Sequence, residues 1–268
     1  MAAANTDKFA IVSHARRIWA VGAVHGERAR LAALHNAIEV RFRPGDRLVY
    51  LGNYLGRGPD IAGTLDELLL FRRALLARLT LFDGDIVHLR GAQEEMWQKL
   101  LQIQIAQDPG QVLEWMLAQG VGATLAAYGI DADVARIRCR EGPLALARWS
   151  VELRERMRTH PGHEALLASL RRAAYTADHT LLLVHAGLDP ARPLSAQSDT
   201  LWWGGGDFDA ISETYEGFRR VVRGYDPDQA GPTDNALTMT IDTGCGAGGP
   251  LTAVCLDASG EVQDAAEA

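Results

Sequence analysis

Ile18-Trp19-Ala20-Val21-Gly22-Ala23-Val24-His25-Gly26 decides the fold: an apolar run breaks into a glycine turn, and a helical pattern follows. Four apolar residues bounded by glycine read as a buried strand, and Leu31, Leu34 and Ile38 then recur at the spacing of an amphipathic helix over Arg28 to Ile38. The same phrase returns twice. Leu48-Val49-Tyr50-Leu51 runs into Gly52, and a helix is predicted from Ile61 to Leu79, with Leu65, Leu68, Leu69, Leu76 and Leu79 on its apolar stripe. Ile86-Val87-His88-Leu89 runs into Arg90-Gly91, and a helix is predicted from about Glu94. Three strand–turn–helix units in the first part of the chain predict an α/β fold that begins as βαβ with a largely parallel sheet.

Beyond this start, Glu95 to Leu170 is helical in pattern, punctuated by Asp108-Pro109, Gly120, Gly129 and Gly142-Pro143. No linker rich in Pro, Gly or Ser sets it apart, so residues 95–170 read as a helical insertion within a single domain spanning 1–268. Strands resume at Leu181 to Val184, Arg220 to Val222, Leu237 to Ile241 and Leu251 to Leu256. The stretch 242–250 is too rich in glycine for regular structure. The small, acidic tail after Val262, residues 263–268, is predicted to fray.

Composition sets outer bounds. A chain of 268 residues with 47% hydrophobic, 23% charged and 7% aromatic residues buries a large core and is not disordered. A net charge of −7, from 34 acidic and 27 basic residues, argues against a general nucleic-acid binder. Cys139, Cys245 and Cys255 have neither disulfide-type nor metal-type spacing and read as thiols in a reducing compartment. The start Met-Ala-Ala-Ala-Asn-Thr-Asp-Lys lacks a basic region leading into an apolar one, and no apolar run approaches the roughly 20 residues that span a bilayer. The expectation is a soluble, cytoplasmic protein with no membrane partner.

In an open α/β sheet, ligands bind outside the carboxyl ends of the strands. Five glycine segments fall at such ends: Gly22-Ala23-Val24-His25-Gly26, Gly52-Asn53-Tyr54-Leu55-Gly56-Arg57-Gly58, Gly91-Ala92-Gln93-Glu94, His185-Ala186-Gly187 and Gly224-Tyr225-Asp226-Pro227. In order, they resemble the GDxHG, GDxxDRG, GNHE, HAG and GHTP signatures of the phosphoprotein-phosphatase branch of the calcineurin-like metallophosphoesterases. Trp115 to Gly129, Pro161-Gly162-His163, Val184 to Pro190, Leu201-Trp202 and the closing Ile241 to Ala253 extend the likeness. They follow bacterial members similar to symmetrical diadenosine tetraphosphatases. The resemblance implies a central β-sandwich flanked by helices, with the site at one rim.

It also implies a two-metal hydrolase (manganese, iron or zinc), in which a bridging aspartate is shared and a metal-bound water attacks phosphorus. The residues at those stations differ from the pattern. The first ion would face Ala23, His25 and Asn53; the second would face Asn53, Ala92, His185 and Tyr225. Gln93 stands where the family has its proton donor, and Gly56 where it has the carboxylate that orients that donor. Every carboxylate at these stations is gone, so no bound metal is expected. Asp226, Glu94 and Asp60 lie close enough in sequence to be considered as substitutes, although a neighbouring residue usually points elsewhere.

Arg57 matches the arginine that grips phosphate oxygens in the family, and a guanidinium forks two N–H groups onto an oxyanion. His25, His185 and Arg223 are further candidates for such an anion pocket. Two readings of Arg57 stay open: free to bind an anion, or salt-bridged to an acid such as Asp60. His14, His35, His88, His160 and His179 lack ligand-like spacing and are expected at the surface or in caps, while His163 is expected to be structural. Trp203 is expected to pack in the core, although it could offer a stacking surface. The function expected is that of a pseudophosphatase binding a phosphate-containing ligand or a protein partner. The alternative is an active serine/threonine-type phosphatase or dinucleoside tetraphosphate hydrolase with a rearranged metal site.

Overall fold

The computed structural model describes residues 8–78, 81–205 and 208–268. The chain opens with β1 (Phe9–Val12), β2 (Arg17–Val21), α1 (Arg28–Glu39), β3 (Asp46–Tyr50), α2 (Ile61–Leu76), β4 (Ile86–His88) and α3 (Ala92–Leu100). β2 pairs with β3 and β3 with β4, all parallel, so the three strand–turn–helix units lie side by side. Both faces of these strands are buried, and their residues sort by parity. Trp19, Val21, Leu48, Tyr50 and Ile86 pack toward the helices, while Ile18, Ala20, Val49, Leu51 and Val87 pack against a second sheet. The helix after β3 ends at Leu76; Leu79 lies outside the described residues.

Five helices follow: α4 (Pro109–Ala118), α5 (Val121–Ala127), α6 (Ala132–Glu141), α7 (Pro143–Arg158) and α8 (His163–Ala168). Leu113, Met116, Leu125, Trp149 and Leu153 from these helices join the same buried cluster as Leu34 of α1 and Leu65 of α2. Among the described residues, no helix is long and apolar enough to cross a membrane.

The remaining elements are β5 (Ala173–Thr176), β6 (Leu181–Val184), α9 (Thr200–Trp203), β7 (Arg220–Arg223), β8 (Thr233–Asp234), β9 (Thr238–Thr240), β10 (Thr252–Asp257) and β11 (Val262–Glu267). They complete a six-stranded sheet, β1-β5-β6-β7-β9-β8, and a five-stranded sheet, β11-β10-β2-β3-β4. The two stack through Val12, Leu183, Val222 and Met239 on one side and Ala20, Val49, Val254 and Leu256 on the other. The architecture is a mixed α/β sandwich with helices outside.

The parallel start holds across β2, β3 and β4, and antiparallel pairing enters with later strands: β10 against both its neighbours, β5 against β6 and β8 against β9. Two readings of the sequence are corrected. The tail at 263–268 is not frayed. It forms β11 in register with β10, Val254 opposite Ala265, and Ala268 exchanges two backbone hydrogen bonds with Leu251. Small side chains carry little hydrophobic signal, but the main chain pairs regardless of them. His35 and His88 are not surface or capping residues. Both are buried, His35 bonded to Glu67 and Tyr50, His88 stacked on Tyr50 with ring centroids 4.8 Å apart.

Candidate functional site

Five turns at the carboxyl ends of β2, β3, β4, β6 and β7 converge at one rim of the sandwich. Backbone bonds lace them together: Ala23 donates to the Gly224 carbonyl, Val24 to that of Asn53, and Gly224 and Tyr225 to that of His185. The glycines let this happen. A Cβ on Gly52, which sits at φ +101°, would come within 2.8 Å of both the Gly91 Cα and His185 Nδ1.

Ala23, His25, Asn53, Ala92, Gln93, His185 and Tyr225 meet there. Their side chains exclude water: His25 is 1% exposed and His185 0%. Asn53 Oδ1 accepts the Gln93 backbone N–H at 2.9 Å, which leaves its amide nitrogen to face His25 Nε2 at 3.4 Å. His185 Nδ1 donates to the Leu51 carbonyl at 2.6 Å. The half-buried Tyr225 ring fills what is left. It stacks on His185 at 5.2 Å and 8° and meets His25 edge-on at 5.6 Å. Three buried polar atoms, His25 Nδ1, His185 Nε2 and Gln93 Oε1, have no hydrogen-bond partner.

Burial dominates the electrostatics. It lowers the His25 imidazole to a pKa of about 3, helped by the nearby Arg57 and His185 charges. It lowers His185 to about 4, against the opposing bond to Leu51. Both rings are therefore neutral near pH 7, and the expectation that they add positive charge to an anion pocket is corrected. Burial likewise raises the Tyr225 phenol, opposed by the charge of Arg57 and by a hydrogen bond from it.

The two metal ions implied by the resemblance do not fit these residues. Ala23 and Ala92 offer methyl groups, the Asn53 oxygen is already an acceptor, and Tyr225 occupies the space beside both imidazoles. Among the described residues, no group of three or more His, Cys, Asp or Glu side chains is placed to hold a metal. The three neighbouring carboxylates are committed elsewhere. Glu94 accepts the N–H groups of Gly91, Asn53 and Leu55 at 2.8–2.9 Å. Asp226 accepts from Asp228 and Ala230 and pairs with Arg223 at 3.1 Å. Asp60 caps α2 through the Gly63 N–H and pairs with Arg28.

Of the anion-binding candidates, Arg57 is exposed, adopts φ +59°, and has no ion pair among the described residues. Asp60 is not its partner. Arg223 is corrected: it is buried on the outer face of the six-stranded sheet, neutralised by Asp209 and Asp226, and packed over the Phe208 ring at 4.5 Å. An arginine already paired with two carboxylates has no charge to spare. Sequence reasoning missed the link to the helices. Gln93 Nε2 donates to the Gln119 carbonyl at 2.8 Å, and the Gly56 N–H donates to Thr124 Oγ1 at 3.1 Å. It missed the role of Glu94 as well, although a glutamate three residues after a turn glycine is a helix-start signal that turns a carboxylate back onto the main chain.

No family model matches the sequence, and no curated protein matches it. Solved structures do. A candidate diadenosine tetraphosphatase superposes with a TM-score of 0.58 at 21% identity, covering 97% of this chain and 98% of that one. A cold-active protein tyrosine phosphatase superposes with a TM-score of 0.51 at 11% identity, covering 97% of this chain and 82% of that one. At such identities the likeness is one of fold. Over nearly its whole length, then, the chain shares the fold of these two phosphatase structures, two stacked sheets with helices outside.

Proposed function

We propose that this protein keeps the metallophosphatase fold without its hydrolysis, and acts by binding an anionic, phosphate-bearing ligand, free or carried on a protein partner, through Arg57. The observation that carries this reading is the Tyr225 ring seated against both remaining imidazoles, with no carboxylate at any of the metal-ligand positions. Two dications about 4 Å apart repel by roughly 16 kcal/mol at an effective dielectric of 20. Neutral imidazole, amide and methyl groups do not offset that. The candidate proton-donor position is Gln93, an amide, and general acid catalysis alone is worth ~10²–10⁴-fold.

Arg57 supports the positive half of the reading. Its guanidinium is exposed and has no ion pair among the described residues, and a fork of N–H donors suits phosphate oxygens. The test has two arms. Metal analysis of purified protein, with p-nitrophenyl phosphate and diadenosine tetraphosphate assays in added manganese, is expected to give substoichiometric metal and no turnover. Stoichiometric metal with turnover overturns the reading in favour of a rearranged hydrolytic site. Calorimetric titration with inorganic phosphate is expected to give heat that Arg57→Ala abolishes; heat unchanged in that variant overturns the anion site.

A further inference from the structure

Between α3, α7 and α8 lies a cavity of about 150 Å³. Its apolar wall is Trp97 of α3, Leu101 just beyond that helix, Met157 of α7, and Leu167 and Ala168 of α8. Trp97 and Met157 are buried, whereas Gln98 and Ala168 are exposed, so the space has an apolar wall and an open mouth. An apolar cavity of this size holds one benzene ring.

Four charged side chains line it as well, and three are already matched. Arg90 pairs with Glu95 at 3.2 Å, Glu164 pairs with Arg158 at 2.9 Å, and Glu94 is spent on three backbone N–H groups of the rim. Arg154 makes no ion pair among the described residues. Its Nη1 and Nη2 donate to the Ser150 and Leu101 carbonyls at 3.2 and 2.9 Å, which fixes the guanidinium without neutralising it. Two of five N–H donors are used in this way. A second donor belongs to the wall itself. Trp97 is 3% exposed, and its buried indole N–H has no hydrogen-bond partner. Indole nitrogen only donates, and a buried donor left unpaired costs stability. What the cavity lacks is an acceptor with a negative charge, carried on a small apolar body.

We propose that this cavity binds a compact apolar carboxylic acid, one ring or a short branched chain. Its carboxylate meets Arg154 and the Trp97 N–H, and its carbon skeleton rests on Leu101, Met157 and Leu167. The planar fork of a guanidinium matches the two oxygens of a carboxylate. A doubly charged phosphate would bring one charge more than Arg154 offsets, into a cavity that Glu94 and Glu164 also line, so a monoanion is the better match. The site is separate from Arg57 and does not depend on that reading.

Calorimetry and indole N–H NMR with benzoate, benzyl alcohol and acetate test it. Benzoate has both parts, benzyl alcohol the ring without the charge, and acetate the charge without the ring. Benzoate is expected to bind at least tenfold more tightly than either, and to shift the indole signal of Trp97, assigned by its loss in Trp97→Phe. Arg154→Gln is expected to weaken benzoate about tenfold or more and to leave benzyl alcohol unchanged. Ala168→Phe, at the open mouth, is expected to block benzoate without touching either donor, and it keeps the test decisive if Arg154→Gln fails to fold. Absence of benzoate binding in the native protein overturns the inference, as does binding no tighter than that of benzyl alcohol. Indifference of benzoate to both Arg154→Gln and Ala168→Phe, or an unmoved Trp97 signal, overturns it too.

Discussion

Gln93 occupies the space that a side chain at position 56 would need: a Cβ built on Gly56 overlaps Gln93 Oε1, and Gly56 itself sits at φ +76°. The two positions therefore act as one unit. Gly56→Ala is expected to cost about 1–3 kcal/mol, from overpacking and from a backbone angle that a β-carbon resists. In a Gln93→Ala background the packing part disappears, so the cycle should show coupling of about 0.5–2 kcal/mol in urea unfolding. Strict additivity would refute the arrangement.

Tyr225 is expected to plug the site without being the only obstacle to catalysis. Tyr225→Ala should destabilise by about 1–3 kcal/mol, because it strips the stacking partner from His185 and opens a void. Tyr225→His restores a ligand type but neither the carboxylates nor the acid. It is expected to leave p-nitrophenyl phosphate turnover in manganese at background. Turnover in that single variant would show the metal site to be one residue from function.

Glu94 is expected to be a keystone of the rim. Its carboxylate accepts three backbone N–H groups, from Gly91, Asn53 and Leu55, while wholly buried. Glu94→Gln turns an amide donor toward those donors, and a buried donor left unsatisfied costs about 1–3 kcal/mol. Faster amide exchange at Asn53 and Leu55 should accompany the loss. Unchanged exchange would show that the turns hold themselves.

Acid should weaken the fold before the carboxylates titrate. Burial, chiefly, puts His25 and His88 at about 3 and His185 at about 4, against about 6.5 in an unfolded chain. The unfolded chain thus takes up protons first. The contribution is whole above about pH 6.5 and is lost as pH falls toward those folded values. Urea midpoints are expected to drop steadily from pH 7 to 5.5. Replacing His88, whose Nε2 has no partner, with phenylalanine should flatten that slope by up to about 1.4 kcal/mol per pH unit. A flat native profile would mean that these rings titrate normally.

The strands that feed the rim were legible in the sequence because they are continuous apolar runs ending in glycine, as at Ile18 to Gly22 and Leu48 to Gly52. β1, β5 and β11 were not. Ala173 and Ala174 bury only methyl groups, and the last strand buries Ala266 alone, so neither leaves a periodic apolar signal. The convergence of the five turns followed from their places at strand ends. The pairing of Arg223 did not, because Asp209 lies fourteen residues away on a different element and only the sheet brings it near. The insertion of Tyr225 between two histidines was equally hidden, since no local pattern says which way a turn residue faces. The neutrality of His25 and His185 needed burial, which only packing reveals.

β11 has a last consequence, for handling the molecule. It is the outermost strand of its sheet, and it covers the flank of β10 from Thr252 to Leu256. Removing those few residues would lay bare a hydrogen-bonding ladder of mostly apolar side chains, a template on which other copies could add. Shortening this end is thus expected to make the protein clump more than the full chain does, which light scattering would register.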